Sequence, residues 1–167
     1  QIADSLKLTD AASQINRAEA RFFRAFAYFD LVRAFGEVPK IDFRVYSAVD
    51  AQRPKSSVAE IYALIDADLQ FAAANLPLNW KNAAGSSRFP GRLTKGAAQA
   101  LAAKTQLYRQ NWSAALTLCQ NVISSGEYAL TGNYDDIWKE AGENNSESIF
   151  EIQASIGANN ADNYFSW

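Results

Sequence analysis

The feature that most constrains the fold is a long amphipathic segment, from about Asp10 to Phe35, in which apolar residues recur at three- and four-residue steps. This spacing predicts one helix face made of Ile15, Ala18, Phe22, Phe26, Phe29 and Val32. A second apolar row, which contains Phe23, Ala27 and Leu31, indicates that the helix packs between neighbours. Gly36 tolerates positive φ and Pro39 prevents the helix from resuming, so the helix is predicted to end at Phe35.

Three further helices are predicted downstream, and each has a recognisable start. They run from the capping box Ser57–Glu60 to Asn75, from the N-cap Thr94 to about Gln110, and from about Trp112 to Ser125. One or two residues join the last two helices, which predicts a hairpin. Its second helix is expected to turn Ala115, Leu118, Cys119 and Val122 inwards.

The order of these helices predicts one mostly all-α domain over residues 1–167, with tetratricopeptide-like hairpins and long loops. Residues 10–77 are interpreted as an irregular helical pair and residues 94–126 as a tetratricopeptide-like hairpin. Residues 127–167 are interpreted as a loop and strand region that continues into a missing C-terminal half, with one short strand over 147–153. A plain helical bundle is the alternative, and the chain is interpreted as a piece of a longer protein.

Composition excludes several classes of function. The sequence has no histidine, which excludes a His-based triad or a His-ligated zinc site within it. The 16 basic and 18 acidic residues are spread along the chain, so we expect no nucleic-acid partner. Neither a Gly-rich phosphate loop nor a calcium-type acidic loop occurs, so no cofactor and no metal are predicted. No opposed pair of catalytic carboxylates is evident, so we expect no enzyme.

Two aromatic regions are candidates for binding sugar, which needs flat apolar faces beside planar hydrogen-bonding groups. Trp80 lies in a long loop with Asn79 and Asn82 beside it. Its alternative role is to cap the end of the second helix. Tyr164 and Trp167 lie in the C-terminal tail and would alternatively pack against the missing half. The remaining tryptophans, Trp112 and Trp138, are expected to be packing residues.

Four blocks of the sequence closely resemble the SusD/RagB family, and they occur in the family's order. The longest is Ala18–Pro39, which reads AEARFFRAFAYFDLVRAFGEVP and is similar to the family's signature helix. The others are the capped helix Ser57–Pro77, the hairpin entry Arg92–Ala98 and the segment Asn145–Ile152. Together they cover most of Asp10 to Gln153.

The resemblance implies a protein that is anchored by a lipid to the outer face of the outer membrane and has no catalytic activity. It implies an oligosaccharide or other nutrient as ligand, and a SusC-like TonB-dependent transporter as partner in polysaccharide uptake. The residues that carry the lipid anchor would lie outside this chain. The protein would contact the membrane only through that anchor. A tetratricopeptide-like scaffold that binds peptide is the alternative function.

Overall fold

The computed structural model describes residues 9–86, 89 and 91–152, and a row of four long helices dominates this part of the chain. The helices are α1 (Ala11–Phe35), the single turn α2 (Ala48–Ala51), α3 (Val58–Asn75), α4 (Lys95–Tyr108) and α5 (Trp112–Ser124). Each long helix lies within two residues of its predicted bounds. The prediction of a mostly all-α, tetratricopeptide-like fold is confirmed, whereas α2 was not predicted.

Local capping explains where α1 and α3 start. The Asp10 carboxylate accepts a hydrogen bond from the Ser13 amide at the start of α1. Ser57 and Glu60 form a reciprocal capping box at the start of α3, with Ser57 N–H donating to Glu60 at 2.8 Å. Gly36 ends α1 with φ of 69°, a conformation that costs glycine little.

The core lies between α1, α3 and α4. Its largest buried side chains are Phe22, Phe29, Ile61, Ile65 and Leu69. Burial of each stabilises the fold by about 1.5–3 kcal/mol relative to an exposed side chain. The small residues Ala97 and Ala98 let α4 approach this cluster closely. The helices therefore pack in the order α1, α3, α4 and α5, with α5 resting mainly on α4.

A short antiparallel pair closes the connection between α1 and α3. Strand β1 (Val38–Pro39) pairs with β2 (Lys55–Ser56), and Val38 lies opposite Ser56. The Tyr28 hydroxyl fixes the same corner, because it accepts from the Ile41 amide at 2.6 Å and donates to the Pro39 carbonyl at 3.2 Å. Sequence periodicity did not predict these two-residue strands.

The strand predicted near the C-terminal end does not form over residues 147–152, so that prediction is wrong there. The Asn145 side chain instead accepts from the amides of Glu147 and Ser148 and holds a turn. No neighbouring strand within the described residues offers a ladder to this segment. Phe150 packs against Phe22 at 5.4 Å between ring centroids, which explains the apolar residues in the segment.

Three residues expected to pack are exposed. Trp112 is 62% exposed, Trp138 is 73% exposed, and Cys119 lies on the outer side of α5. Ala115 and Val122 are the residues of α5 that are buried, as predicted. Among the described residues, no helix is both long enough and apolar enough to cross a membrane.

Candidate ligand-binding cleft

The long connection between α3 and α4 folds back onto the end of the α4–α5 hairpin. It is anchored at its base, where the Lys95 amide donates to the Pro77 carbonyl at 2.8 Å. Leu76 and Leu93, at the two ends of the connection, are both buried. The connection therefore presents its central residues beside the segment that follows α5.

Trp80 is half-buried and held from three sides. Its Nε1–H donates to the Leu93 carbonyl at 2.8 Å. The Phe89 ring meets it edge-on at 5.4 Å, and the Arg92 guanidinium lies 4.0 Å from its ring centroid. The alternative role predicted for Trp80 was to cap the end of α3. In the structure, its N–H instead donates to Leu93 and so links two parts of the connection between α3 and α4.

Arg92 ties this aromatic group to α1. Its Nε and Nη2 donate to the Glu19 carboxylate at 2.6 and 3.3 Å, a forked geometry that suits a guanidinium. The same guanidinium covers the Trp80 ring, which combines a charged hydrogen bond with a cation–π contact. The orientation of Trp80 is thus coupled to the helix that carries most of the core.

Asn79, Lys81 and Glu127 form the polar side of the site. The Asn79 Nδ2 donates to Glu127 Oε1 at 3.0 Å, and Lys81 Nζ donates to Glu127 Oε2 at 2.7 Å. The Asn79 Oδ1 accepts from the Lys81 amide at 3.1 Å. The hydrogen bonds from Lys81 and Asn79 hold the pKa of Glu127 below its usual value, so the carboxyl group stays ionised near neutral pH.

Asn82 lies apart from this group. Its Oδ1 accepts from the amides of Ala84 and Ser86, at 2.9 and 3.1 Å, and so closes a tight turn. Gly85 completes that turn with φ of 81°. The structure therefore brings Asn79 and Trp80 together at the cleft and places Asn82 in the turn beyond it.

Tyr128 seats the segment after α5 against the start of α4. Its hydroxyl lies 2.7 Å from Thr94 Oγ1, and burial raises the pKa of the phenol. A Cβ on Gly96 would clash with this hydroxyl, so glycine is needed for the close approach. Neither contact was evident in the sequence, because it joins residues more than thirty positions apart.

These elements enclose an open cleft with a volume of about 280 Å³. One wall is aromatic and cationic, formed by Trp80, Phe89 and Arg92. Residues of the segment between Asn144 and Glu151, which include Ile149 and Phe150, also line the cleft. Sequence reasoning missed Arg92, Glu127 and Tyr128 as members of the site. The Gly126 helix stop directly before Glu127 was the signal that could have drawn attention to that segment.

The second predicted pair, Tyr164 and Trp167, lies outside the described residues. Within residues 9–86, 89 and 91–152, no group of three His, Cys, Asp or Glu side chains is placed to hold a metal ion. The groups that line the cleft and can contact a ligand are an aromatic surface, a guanidinium and an amide–carboxylate pair.

Comparison with known proteins gives consistent matches. Residues 1–107 match a SusD-like family model described as starch-binding and associating with the outer membrane. SusD-like protein P25 of Formosa agariphila is 31% identical over 90% of this chain and 28% of its own length.

Two solved structures add information on ligands. A laminarin-binding SusD-like protein superimposes with a TM-score of 0.75 at 29% identity, over 86% of this chain and 31% of that one. A crystal structure with xylogluco-oligosaccharide superimposes with a TM-score of 0.77 at 29% identity, over 92% of this chain and 32% of that one. The chain thus spans less than a third of each relative that it matches here.

Proposed function

This chain belongs to the SusD-like family, and on that premise we propose that the complete protein captures an oligosaccharide at the surface of the outer membrane. The captured glycan would pass to a SusC-like TonB-dependent transporter. The family match over residues 1–107 is the observation that carries this proposal. The similarity to a laminarin-binding protein and to a structure with xylogluco-oligosaccharide supports a glycan as the ligand class. The lipid anchor and the transporter are part of the proposal.

Within this chain we assign ligand contact to the cleft at Trp80 and Asn79. Trp80 is half-buried and held in a fixed orientation, which reduces the entropy lost when a sugar ring stacks on it. Glu127 accepts two hydrogen bonds from protein side chains and has about four acceptor positions, so it retains capacity for sugar hydroxyls. Asn82, Tyr164 and Trp167 stay candidates for contacts further along the glycan.

The size of the cleft suggests how much ligand it holds. Its volume of about 280 Å³ lies just below the range of about 300–1,000 Å³ typical of ligand pockets. We therefore propose that it takes one part of the glycan. The remaining sugar units would contact residues outside the cleft, among them the candidates Asn82, Tyr164 and Trp167 and parts of the complete protein outside residues 1–167.

The charge state of the cleft favours binding without hydrolysis. A glycosidase needs one carboxylic acid that is protonated near neutral pH to donate a proton to the leaving group. Glu127 has the opposite property, because the hydrogen bonds from Lys81 and Asn79 lower its pKa. Both oxygens of the other cleft carboxylate, Glu151, accept from the Asn144 amide at 3.1 Å. We propose that Glu127 does not act as a general acid.

The test is a binding panel on the purified full-length protein. Laminarin and xyloglucan oligosaccharides are titrated beside unrelated glycans and a peptide library, and each mixture is analysed for cleavage products. The proposal predicts saturable binding of at least one glycan, with no products. Binding of peptides without any glycan would favour the peptide scaffold, and cleavage of a bound glycan would overturn the non-catalytic assignment. Co-purification with a barrel transporter tests the partner separately.

A further inference from the structure

Glu19 on α1 holds a side chain of the cleft from outside it. Its carboxylate accepts the two hydrogen bonds that Arg92 donates through Nε and Nη2. Among the described residues that line the cleft, Arg92 is present and Glu19 is not. Glu19 is therefore placed to influence a ligand in the cleft through Arg92, without touching the ligand itself.

The orientation of the Trp80 ring depends on Arg92. The hydrogen bond from Trp80 Nε1 to the Leu93 carbonyl fixes one edge of the indole, and a single bond at an edge lets the ring tilt. The Arg92 guanidinium lies 4.0 Å from the ring centroid and covers one face, so it sets the plane of the ring. Phe89 touches the ring edge-on, but it is itself 40% exposed and gives weaker support.

Arg92 in turn depends on Glu19. An arginine side chain is long and has many rotamers, and this one is 33% exposed, so water is within its reach. Two hydrogen bonds to one carboxylate fix the plane of the guanidinium, which a single bond would not do. The base of this arrangement is rigid, because Ala18 and Phe22 on the same helix are buried in the core.

We propose that Glu19 is a positioning residue for glycan binding, which holds the Trp80 ring ready for a sugar through Arg92. The proposal rests on the proposed function, since it takes Trp80 as a ligand contact. In the wild type, the cost of ordering the two side chains is met when the protein folds. Without Glu19, the glycan would have to order Arg92 and Trp80 as it binds, and its affinity would fall.

The chain contains a matched control for this arrangement away from the cleft. Arg109 donates to the Asp66 carboxylate through Nη1 and Nη2 at 2.8 and 2.6 Å. Its guanidinium also lies 4.7 Å from the Tyr62 ring centroid. This group links α3 to the end of α4 and repeats the fork and the cation–π contact of the Glu19 group. Asp66→Asn therefore removes an equivalent ion pair without affecting Trp80.

The first experiment is a calorimetric titration of the full-length protein with a glycan that binds in the panel. The proteins are wild type, Glu19→Gln and Asp66→Asn, and thermal unfolding confirms that each is folded. Glu19→Gln should weaken binding about three- to tenfold, the effect expected when binding must order one more flexible side chain. Asp66→Asn should change the affinity by less than about twofold, as for a distant site.

The second experiment repeats Glu19→Gln in a Trp80→Ala background. If Glu19 acts through the Trp80 ring, the change should cause no further loss of affinity there. A spectroscopic measurement on the ligand-free protein supports the cycle. Fluorine NMR of protein labelled with fluorotryptophan, with the Trp80 signal assigned by its absence in Trp80→Phe, should show that signal shifted or broadened by Glu19→Gln and unchanged by Asp66→Asn.

Unchanged affinity in folded Glu19→Gln, while Trp80→Ala still weakens binding, would overturn the positioning role and leave the proposed function intact. Tighter binding would also overturn it, since Arg92 would then be covering the face that the sugar needs. An equal loss with and without Trp80 would mean that Glu19 acts by another route. Should Glu19→Gln not fold, Glu19→Asp, which keeps the charge on a shorter side chain, takes its place with the same expected direction. If no glycan binds, the proposed function and this role fail together.

Discussion

Arg24 on α1 and Asp68 on α3 form a bidentate ion pair, with Nε–Oδ2 and Nη2–Oδ1 distances of 2.6 and 2.7 Å. Asp68 is 1% exposed, and Arg21 Nε lies 4.0 Å from its Oδ1. Ile65 and Leu69 beside it on α3 belong to the apolar core. A buried carboxylate is stable only when it is paired, so we expect the pair to fix the position of α1 along α3.

Replacing Arg24 by leucine should destabilise the protein by about 3 kcal/mol, because Asp68 would remain buried without its main partner. The double variant Arg24→Leu, Asp68→Leu should lose less, since it leaves no buried charge. Urea unfolding of the wild type, both single variants and the double variant measures the coupling between the two residues.

The matched control for this cycle is the exposed pair between Arg33 and Asp30 on α1. Asp30→Asn should cost less than about 1 kcal/mol, as is usual for surface ion pairs. An equal loss for the buried and the exposed pair would contradict the role given to Asp68.

Gly96→Ala should destabilise the protein by about 1–2 kcal/mol, although alanine is the better helix former. The added Cβ would displace Tyr128, and the contact between Tyr128 and Thr94 would be lost. In a Tyr128→Ala background the same change should become neutral or stabilising, because the obstruction is gone. Thermal unfolding of the four proteins shows whether the sign reverses, and a loss of equal size in both backgrounds would refute the assignment.

Glu127 should contribute stability that depends on pH. Its folded pKa lies below the reference value of 4.5, through the hydrogen bonds from Lys81 and Asn79. The stabilisation is therefore present above pH 4.5 and is lost as the pH falls through the folded pKa. The difference in free energy of unfolding between wild type and Glu127→Gln should be largest at neutral pH and shrink in acid.

Lys81→Ala provides the control for this pH dependence, because the Lys81 ammonium is the main cause of the lowered pKa of Glu127. In the Lys81→Ala background, the loss of stability caused by Glu127→Gln should depend less on pH. If the pH dependence of this loss is the same in both backgrounds, Lys81 is not the cause of the lowered pKa of Glu127.

Ser57→Ala should destabilise the protein by about 1 kcal/mol, because α3 loses one half of its capping box. Ser57→Gly should cost only a few tenths of a kcal/mol, since glycine is tolerated at N-cap positions. Denaturant midpoints of the two variants give the comparison. Similar losses for both would mean that the hydroxyl does not stabilise the helix.

The helices were predictable because their signals are local. The spacing of Phe22, Phe29 and Val32 and the Ser57–Glu60 capping box each specify a helix within a few residues. The apolar residues Ile149 and Phe150 were also recognisable in the sequence. Whether their segment forms a strand, however, depends on which residues lie beside it in the fold. A strand needs a partner, and here Phe150 packs against Phe22 of α1 instead.

The candidate site was only partly predictable for the same reason. Trp80 and Asn79 stood out by residue type, and both line the cleft. Glu127 and Arg92 reach the site through contacts with Lys81 and Glu19, which lie far from them in sequence. Exposure of Trp112 and Trp138 was not predictable either, because tryptophan in a helical sequence usually packs inside.

The most direct test of the account is a calorimetric titration of the full-length protein with the glycan that binds in the panel. Trp80→Ala should weaken binding at least about tenfold, equivalent to about 1.4 kcal/mol, and Trp80→Phe should lose less because a ring remains. Trp138→Ala, which removes an exposed tryptophan outside the cleft, should bind like the wild type. Unchanged affinity in a correctly folded Trp80→Ala variant would contradict the assignment of the cleft as the ligand site.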